Sequence, residues 1–240
     1  MARKKKTGVC QICGKQGKLS FEHVPNKKAL NSATIIEYTF EDVFIKKDKS
    51  KGHKVQGGIG QYTLCEQCNN DTGSWYGDEF TIWSCNCMDF LYQRSLRLDF
   101  SDEAVVTLLN VYPLRFLKQV VVCFFSVSPG LAQQYPELVK FVKDKYEQHT
   151  PEGCNFYINF HYSTTSPTLR RWPLAGVISV QQEGKKIIPS GFSVICEIAH
   201  PPFQLIMTLG AGYHKKAGYI NIFNQYDYDQ QDNVTLKLGV

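Results

Sequence analysis

Two pairs of cysteines are the residues of this chain best suited to bind a metal. Cys10 and Cys13 stand in VCQICGK, and Cys65 and Cys68 stand in LCEQCNN. A CxxC turn lets two thiolates converge on one ion, and two such turns supply the four sulfurs of a closed tetrahedral zinc site. We therefore predict that these four cysteines hold one structural Zn²⁺ ion.

Polar residues beside the cysteine pairs have the types needed for hydrolysis. Glu22 and His23 are adjacent in LSFEHVP, and Asn69 follows the second cysteine pair directly. An imidazole, with an ordinary pKa near ~6.5, suits a general base. Carboxylate and amide oxygens are the ligands that Mg²⁺ or Mn²⁺ prefers. If zinc joins the two cysteine pairs, these residues converge. We predict a catalytic site in which His23 is the base and Glu22 and Asn69 hold the catalytic Mg²⁺ or Mn²⁺, with Asp71 as a further candidate oxygen ligand.

The same stretches resemble the motif of the HNH, or ββα-metal, nuclease superfamily. The matching residues are the two CxxC pairs, Glu22-His23-Val24-Pro25, Asn69, Asn70 and Gly73. The resemblance implies that His23 is the general base, that Glu22 is the acidic metal ligand before it, and that Asn69 is the ligand at the last motif position. It implies a metal-dependent endonuclease that hydrolyses phosphodiester bonds in DNA.

The sequence departs from this motif at its middle position. An Asn that orients the base usually stands there, whereas this chain has Gly60 followed by Gln61. The segment between the cysteine pairs is also long. Near the C-terminus, SVICEIAHPPFQLIM is similar to domains appended to such nucleases in bacterial defence systems. That similarity implies a role as an effector in anti-phage defence.

A lysine-rich segment lies between the cysteine pairs. KKDKSKGHK contains five lysines, namely Lys46, Lys47, Lys49, Lys51 and Lys54. Residues 1–70 carry 13 Lys and Arg against 6 Asp and Glu, whereas residues 71–240 carry 14 against 16. A basic first part predicts a polyanionic partner, and we expect these lysines to contact DNA phosphates. A solvated basic turn is the alternative.

Two non-catalytic interpretations stay open at this point. In the first, the cysteines organise a zinc finger that binds nucleic acid, and Glu22 and His23 are only structural. In the second, the zinc half is a structural element that holds the C-terminal half in place. A cleavage assay with Mg²⁺ or EDTA separates the nuclease from the first alternative, and salt-dependent nucleic-acid binding separates the first from the second.

Hydrophobic periodicity and turn residues predict the elements that position these groups. The predicted strands are residues 19–24, 34–45, 55–64, 155–163, 174–182, 192–199, 203–209, 218–224 and 234–240. The predicted helices are residues 70–97, 101–111, 113–126 and 136–148. The fold class is therefore α+β. We predict a zinc-bound ββα-metal nuclease domain over residues 1–97, containing an inserted basic hairpin. An α+β domain with a mostly antiparallel sheet follows over residues 98–240.

Composition limits the environment and the partners. The chain has nine cysteines and no apolar run of about 18 residues, the length that a membrane helix needs. The basic N-terminus is not followed by an apolar run, so it does not match a secretory signal. These features predict a cytoplasmic protein with no membrane segment and with reduced thiols. We expect the C-terminal half to form a homodimer or to bind a regulatory partner.

Overall fold

The computed structural model describes residues 6–44, 52–96, 103–163, 167–183, 186–210 and 218–239. Lys46, Lys47, Lys49 and Lys51, the predicted phosphate-binding lysines of the basic segment, lie outside the described residues. Lys54 lies in a short strand and is exposed. The prediction for these lysines therefore stays a prediction.

The described elements form an α+β structure, as predicted. The strands are β1 (Lys6–Val9), β2 (Gln16–His23), β3 (Ile35–Tyr38), β4 (His53–Val55), β5 (Gly60–Cys65), β6 (Glu103–Val111), β7 (Cys154–Phe160), β8 (Thr168–Glu183), β9 (Lys186–His200), β10 (Phe203–Leu209), β11 (Gly218–Tyr219) and β12 (Asp232–Gly239). The helices are α1 (Phe40–Phe44), α2 (Glu66–Leu96), α3 (Pro113–Val127), α4 (Leu131–Gln134) and α5 (Pro136–Lys143), with a 3₁₀ turn at Asn221–Gln225.

Three sheets organise the strands. The first has the order β1-β2-β5, the second β11-β7-β10-β9-β8-β3-β4, and the third β12-β6. The pairs are antiparallel except β3 with β8, so the predicted antiparallel character is confirmed. Strands β3 and β4 come from the first predicted domain, yet they extend the sheet of the second. The seven-stranded sheet therefore crosses the predicted boundary at residue 97.

Helix α2 connects the cysteine cluster to the core. It begins directly after β5, and its buried positions recur every three or four residues at Tyr76, Phe80, Trp83, Cys87 and Leu91. That spacing places the side chains on one face of a helix. Trp83 stacks on Phe116 of α3 with ring centroids 4.0 Å apart. The apolar face of α2 therefore packs against the central helix.

The predicted helix over residues 101–111 is wrong, because Glu103–Val111 is strand β6. Ala104, Val106 and Leu108 are buried, whereas Val105 and Leu109 between them are exposed. This alternation has the period of two that characterises a strand with one buried face. Strand β12, from the far end of the chain, supplies the pairing partner.

The predicted strand over residues 34–45 is also wrong in its second half. Strand β3 ends at Tyr38, and helix α1 begins at Phe40. Thr39 donates from its backbone N and its Oγ1 to Asp42 Oδ2, over 2.9 and 2.8 Å, and Asp42 N donates back to Thr39 Oγ1. This reciprocal cap stabilises the start of a helix and overrides the β-propensity of the segment.

Helix α3, predicted as a helix over residues 113–126, is the centre of the core and is buried nearly all round. It also carries a fully buried lysine, Lys118, whose Nζ donates to the backbone carbonyls of Phe141, Asp144 and Glu147. Burial lowers the pKa of Lys118 to about 7. Helix α5 ends at Lys143, earlier than the predicted residue 148, and the ammonium satisfies carbonyls at that end.

Candidate functional site

The four predicted zinc ligands come together in the structure. The Sγ atoms of Cys10, Cys13, Cys65 and Cys68 all lie within 4.8 Å of one another, and Cys13 Sγ is 3.9 Å from Cys65 Sγ. A tetrahedral Zn²⁺ with bonds of about 2.3 Å separates its sulfurs by about 3.8 Å. The donor set and its spacing are therefore compatible with a structural zinc ion. Among the described residues, this is the group of His, Cys, Asp and Glu with metal-like spacing.

Local backbone geometry positions the thiols. Gly14 closes the first CxxC turn with φ of +70° and donates its N–H to the Cys10 carbonyl. The Gln11 N–H donates to the Thr63 carbonyl, which ties this turn to β5. A hydrogen bond with the Cys68 thiol holds the pKa of Cys10 well below the ordinary thiol value. Thiolate is the form that binds metal. The hydrogen bond with Cys10 raises the pKa of Cys68 and burial raises the pKa of Cys13, so metal binding would displace protons from these thiols.

His23 ends strand β2 on a partly open face of the three-stranded sheet. Its ring contacts the Phe21 ring edge-on at 5.2 Å, and Phe21 contacts Tyr62 edge-on at 5.3 Å. The Lys6 ammonium lies 5.1 Å from the centre of the Tyr62 ring. His23, Phe21 and Tyr62 are half-buried, and Lys6 is exposed. We call this group of Lys6, Phe21, His23 and Tyr62 the aromatic–basic face.

Glu22 lies on the opposite face of the same sheet. Its carboxylate is buried and accepts hydrogen bonds from Thr63 Oγ1 and from Ser126 Oγ, the latter over 2.9 Å. Burial raises the pKa of Glu22 to about 7. Successive side chains of a strand point to opposite faces, so Glu22 and His23 diverge although they are adjacent in sequence.

Asn69 lies in the first turn of α2 and contacts β2 away from His23. Its Nδ2 donates to Ser20 Oγ over 3.1 Å. Ser20 precedes His23 by three residues, a distance of about 10 Å along a strand. The three predicted catalytic side chains are thus not brought to one point. The residues described here do not form an oxygen ligand set for Mg²⁺ or Mn²⁺ beside His23, and that cofactor stays a prediction.

Two asparagines fix the conformation of the segment that follows His23. Asn31 is buried; its Nδ2 donates to the carbonyls of Pro25 and Ile59 over 2.6 and 2.7 Å, and its Oδ1 accepts from the Ile59 N–H. Asn26 Nδ2 donates to the Gly77 carbonyl of α2 over 2.7 Å. Two asparagines five residues apart, on either side of KKAL and shortly after EHVP, are the signal that could have identified them.

Gly60, where the HNH motif usually has an asparagine, has no room for a side chain. A Cβ at Gly60 would lie 2.3 Å from the Glu22 carbonyl and 2.5 Å from the Phe21 ring. The neighbouring Gln61 donates its amide to the Ser126 carbonyl and accepts from Arg171 over 3.2 Å. Neither residue orients the His23 ring. The role usually filled by the motif asparagine is not filled at this position.

Comparison with known proteins finds no relative for this chain. No protein-family model matches, and neither the curated proteins nor the solved structures contain a significant match. Separately, none of the helices described here combines the length and the apolar character needed to cross a membrane. The interpretation of the site therefore rests on its residues and their geometry.

Proposed function

We propose that this chain binds nucleic acid through the aromatic–basic face of its zinc-organised sheet. The observation that carries the proposal is the arrangement of Phe21, Tyr62 and His23 on one partly open face, with the Lys6 ammonium over the Tyr62 ring. Aromatic rings stack on nucleobases of any sequence, and a nearby ammonium pairs with the phosphate backbone. Such a face suits single-stranded or locally opened nucleic acid, with DNA as the expected partner.

The cysteine cluster supports this surface from one end of the sheet. It joins the turn before β2, the end of β5 and the start of α2. Three short strands bury little apolar area by themselves, so a Zn²⁺ bound by the four thiolates would contribute directly to their folding free energy. The strands would then hold the aromatic rings in fixed positions relative to one another.

Hydrolysis of the bound strand is the second candidate function, and the position of His23 favours it. His23 is half-buried on the aromatic–basic face, where an imidazole could remove a proton from water that attacks a phosphodiester. The resemblance to the HNH motif supports this role. Glu22 and Asn69 face elsewhere, so the proposal assigns the proton transfer to His23 alone. A role in bacterial defence stays a prediction from the C-terminal resemblance.

Fluorescence anisotropy of the purified chain with single-stranded DNA, duplex DNA and RNA tests the binding proposal. Tyr62→Ala should weaken binding by about 1–3 kcal/mol through the loss of a stacking ring. Lys6→Ala should lower the slope of log K against log salt by about one. Tyr92→Ala on α2 and Lys18→Ala on β2 are matched controls, because both residues are exposed outside this face. If Tyr62→Ala and Lys6→Ala bind nucleic acid like the parent, the aromatic–basic face is excluded as the binding surface.

A plasmid and RNA cleavage assay with Mg²⁺, Mn²⁺ or EDTA separates the two candidates. If the chain is a hydrolase, His23→Ala should reduce cleavage roughly 10²–10⁴-fold, the typical loss for a general base. Zinc content should not change, because the imidazole is not one of the four cysteine ligands. His149→Ala is the control, since that side chain is 90% exposed. If the parent binds nucleic acid but does not cleave it under any of these conditions, the chain is a non-catalytic nucleic-acid-binding module.

A further inference from the structure

A cavity of about 240 Å³ lies where the segment after His23 meets α2 and the turn between β9 and β10. Its walls are mostly apolar. The residues that line it include Leu30, Asn31, Ile35, Met88, His200 and Pro201. An apolar cavity of about 150 Å³ is large enough to bind benzene. This one therefore has room for a two-ring aromatic molecule.

His200 is a buried polar residue of the cavity wall. The side chain is 4% exposed, and its Nδ1 donates to the Pro201 carbonyl over 2.8 Å. That is the only hydrogen bond the ring makes within the described part of the chain. Burial lowers the pKa of His200 to about 4, so the ring is neutral near pH 7. With its proton on Nδ1, a neutral imidazole presents Nε2 as an acceptor.

Asn31 and Thr34 are the other polar side chains of the wall, and the Asn31 amide is already occupied. Asn31 uses its amide to bind the backbone of Pro25 and Ile59, with both the oxygen and the nitrogen engaged. Its amide therefore cannot turn towards an occupant without releasing those bonds. A ligand would meet mostly apolar walls and few free polar groups, so a purely polar molecule would lose more hydrogen bonds to water than it could recover.

We propose that this cavity binds a small, mostly apolar molecule with one N–H or O–H donor, which the Nε2 of His200 accepts. The apolar walls supply most of the affinity, and the histidine selects molecules with a donor at one position. Such pockets, with many apolar contacts and few placed polar groups, are typical of small-molecule sites. This binding does not depend on the nucleic-acid proposal.

The location of the cavity connects an occupant with the segment that follows His23. Asn31 forms part of the wall, and its Nδ2 also donates to the carbonyls of Pro25 and Ile59. These two residues lie just beyond the point where His23 pairs with Gly60. Met88 is the residue of α2 that lines the cavity. The first turn of the same helix contains Cys68 and Asn69. A bound molecule would thus contact both elements that position the aromatic–basic face.

Indole and indene form a matched pair of probes for this site. They have nearly the same shape, but only indole carries an N–H donor. Isothermal titration of the full chain should detect indole binding, with indene bound about five- to tenfold more weakly because it lacks one buried hydrogen bond. Failure of both probes to bind, or equal affinity for the two, would overturn the proposal.

Two variants locate the binding. His200→Phe keeps a ring of similar size without the acceptor, so indole and indene should bind it equally. Met88→Trp should fill the cavity and abolish binding of both probes, whereas Ile82→Trp, at an exposed position of the same helix, should bind them like the parent. An unchanged preference for indole in His200→Phe would refute the proposal. If that variant does not fold, unimpaired binding by folded Met88→Trp would refute it equally.

Discussion

Glu22 shows how a single residue can have the right chemical type and the wrong surroundings for its expected role. In sequence it stands beside the predicted base, which suggested a metal ligand. In the structure its carboxylate is enclosed by Thr63 and Ser126, under helix α3. Burial without a cationic partner favours the protonated form. The residue therefore behaves as a buried acid of the core in this structure.

We expect Glu22→Gln to stabilise the protein at high pH. The folded-state pKa is raised to about 7, so the stability that this group contributes is fully present below its unfolded pKa, near ~4.3, and is lost as pH rises through about 7. Glutamine keeps the acceptor oxygen without the charge. Urea unfolding should show a gain over the parent of up to about 3 kcal/mol at pH 8.5 and a much smaller one at pH 5.

The matched control for this substitution is Glu152→Gln. Glu152 is exposed, so its stability difference from the parent should change little between the two pH values. A gain for Glu22→Gln that is the same at pH 5 and pH 8.5 would contradict the assignment of a buried carboxyl with a raised pKa.

At the scale of elements, the structure depends on contacts between segments that are distant in the chain. The first CxxC turn binds β5 through the Gln11 N–H, and the second CxxC runs from β5 into α2. A metal at this junction would therefore stabilise a strand, a turn and a helix end together.

Zinc removal should unfold the β1-β2-β5 sheet before the rest of the protein. Elemental analysis of protein purified without chelator should find about one zinc per chain. After chelation, hydrogen exchange should accelerate in Lys6–Val9, Gln16–His23 and Gly60–Cys65, while β7 and β10 stay protected. Cys68→Ser should reproduce this effect, and Cys85→Ser, outside the cluster, should not. Full protection of the small sheet in metal-free protein would exclude a structural role for zinc.

The buried lysine of α3 makes a second prediction at this scale. Lys118→Met removes the only side-chain donor described for the carbonyls of Phe141, Asp144 and Glu147. Loss of these hydrogen bonds, including the one to the carbonyl of buried Phe141, should lower the free energy of unfolding by about 2–4 kcal/mol, measured by urea denaturation. Lys143→Met, at an exposed position, should change it by less than about 0.5 kcal/mol. Equal effects of the two substitutions would contradict the proposed role of the ammonium.

At the scale of the whole molecule, the two predicted domains share structure. Strand β3 pairs in parallel with β8, and Arg171 of β8 binds both Glu37 of β3 and Gln61 of β5. One hydrophobic core includes residues from α2, α3 and the seven-stranded sheet. The part that contains the cysteine cluster is thus joined to the C-terminal sheet by strand pairing and by a shared core. A conformational change in either part would therefore alter contacts made by the other part.

The predicted homodimer has a specific surface for its test. Ile178, Val180 and Phe192 are 58–67% exposed on the long β8–β9 hairpin, and Ile178 pairs directly with Phe192. Burying such a patch between two copies would favour association. Light scattering at micromolar concentration should show a dimer for the parent and a monomer for Phe192→Glu. Ile82→Glu, at an exposed position of α2, is the control, and a monomeric parent would contradict the prediction.

The amino-acid sequence determined the features that depend on short-range geometry. CxxC spacing fixes how two thiols point within one turn, and the apolar spacing of residues 70–97 and 113–126 specifies helices and their buried faces. The several strand-like segments after residue 154 were sufficient to predict an antiparallel sheet. These features need only a few neighbouring residues, so the cysteine cluster and about half of the elements could be predicted.

Tertiary structure decided everything that required a distant partner. Glu103–Val111 became a strand because Asp232–Gly239 pairs with it, and β3 joined the C-terminal sheet because β8 was available beside it. The same holds at the candidate site. Which face of β2 is covered depends on α3, and that choice buried Glu22 and left His23 at the partly open face. Strand pairing and burial are long-range properties, and no local pattern around Glu22-His23 specifies them.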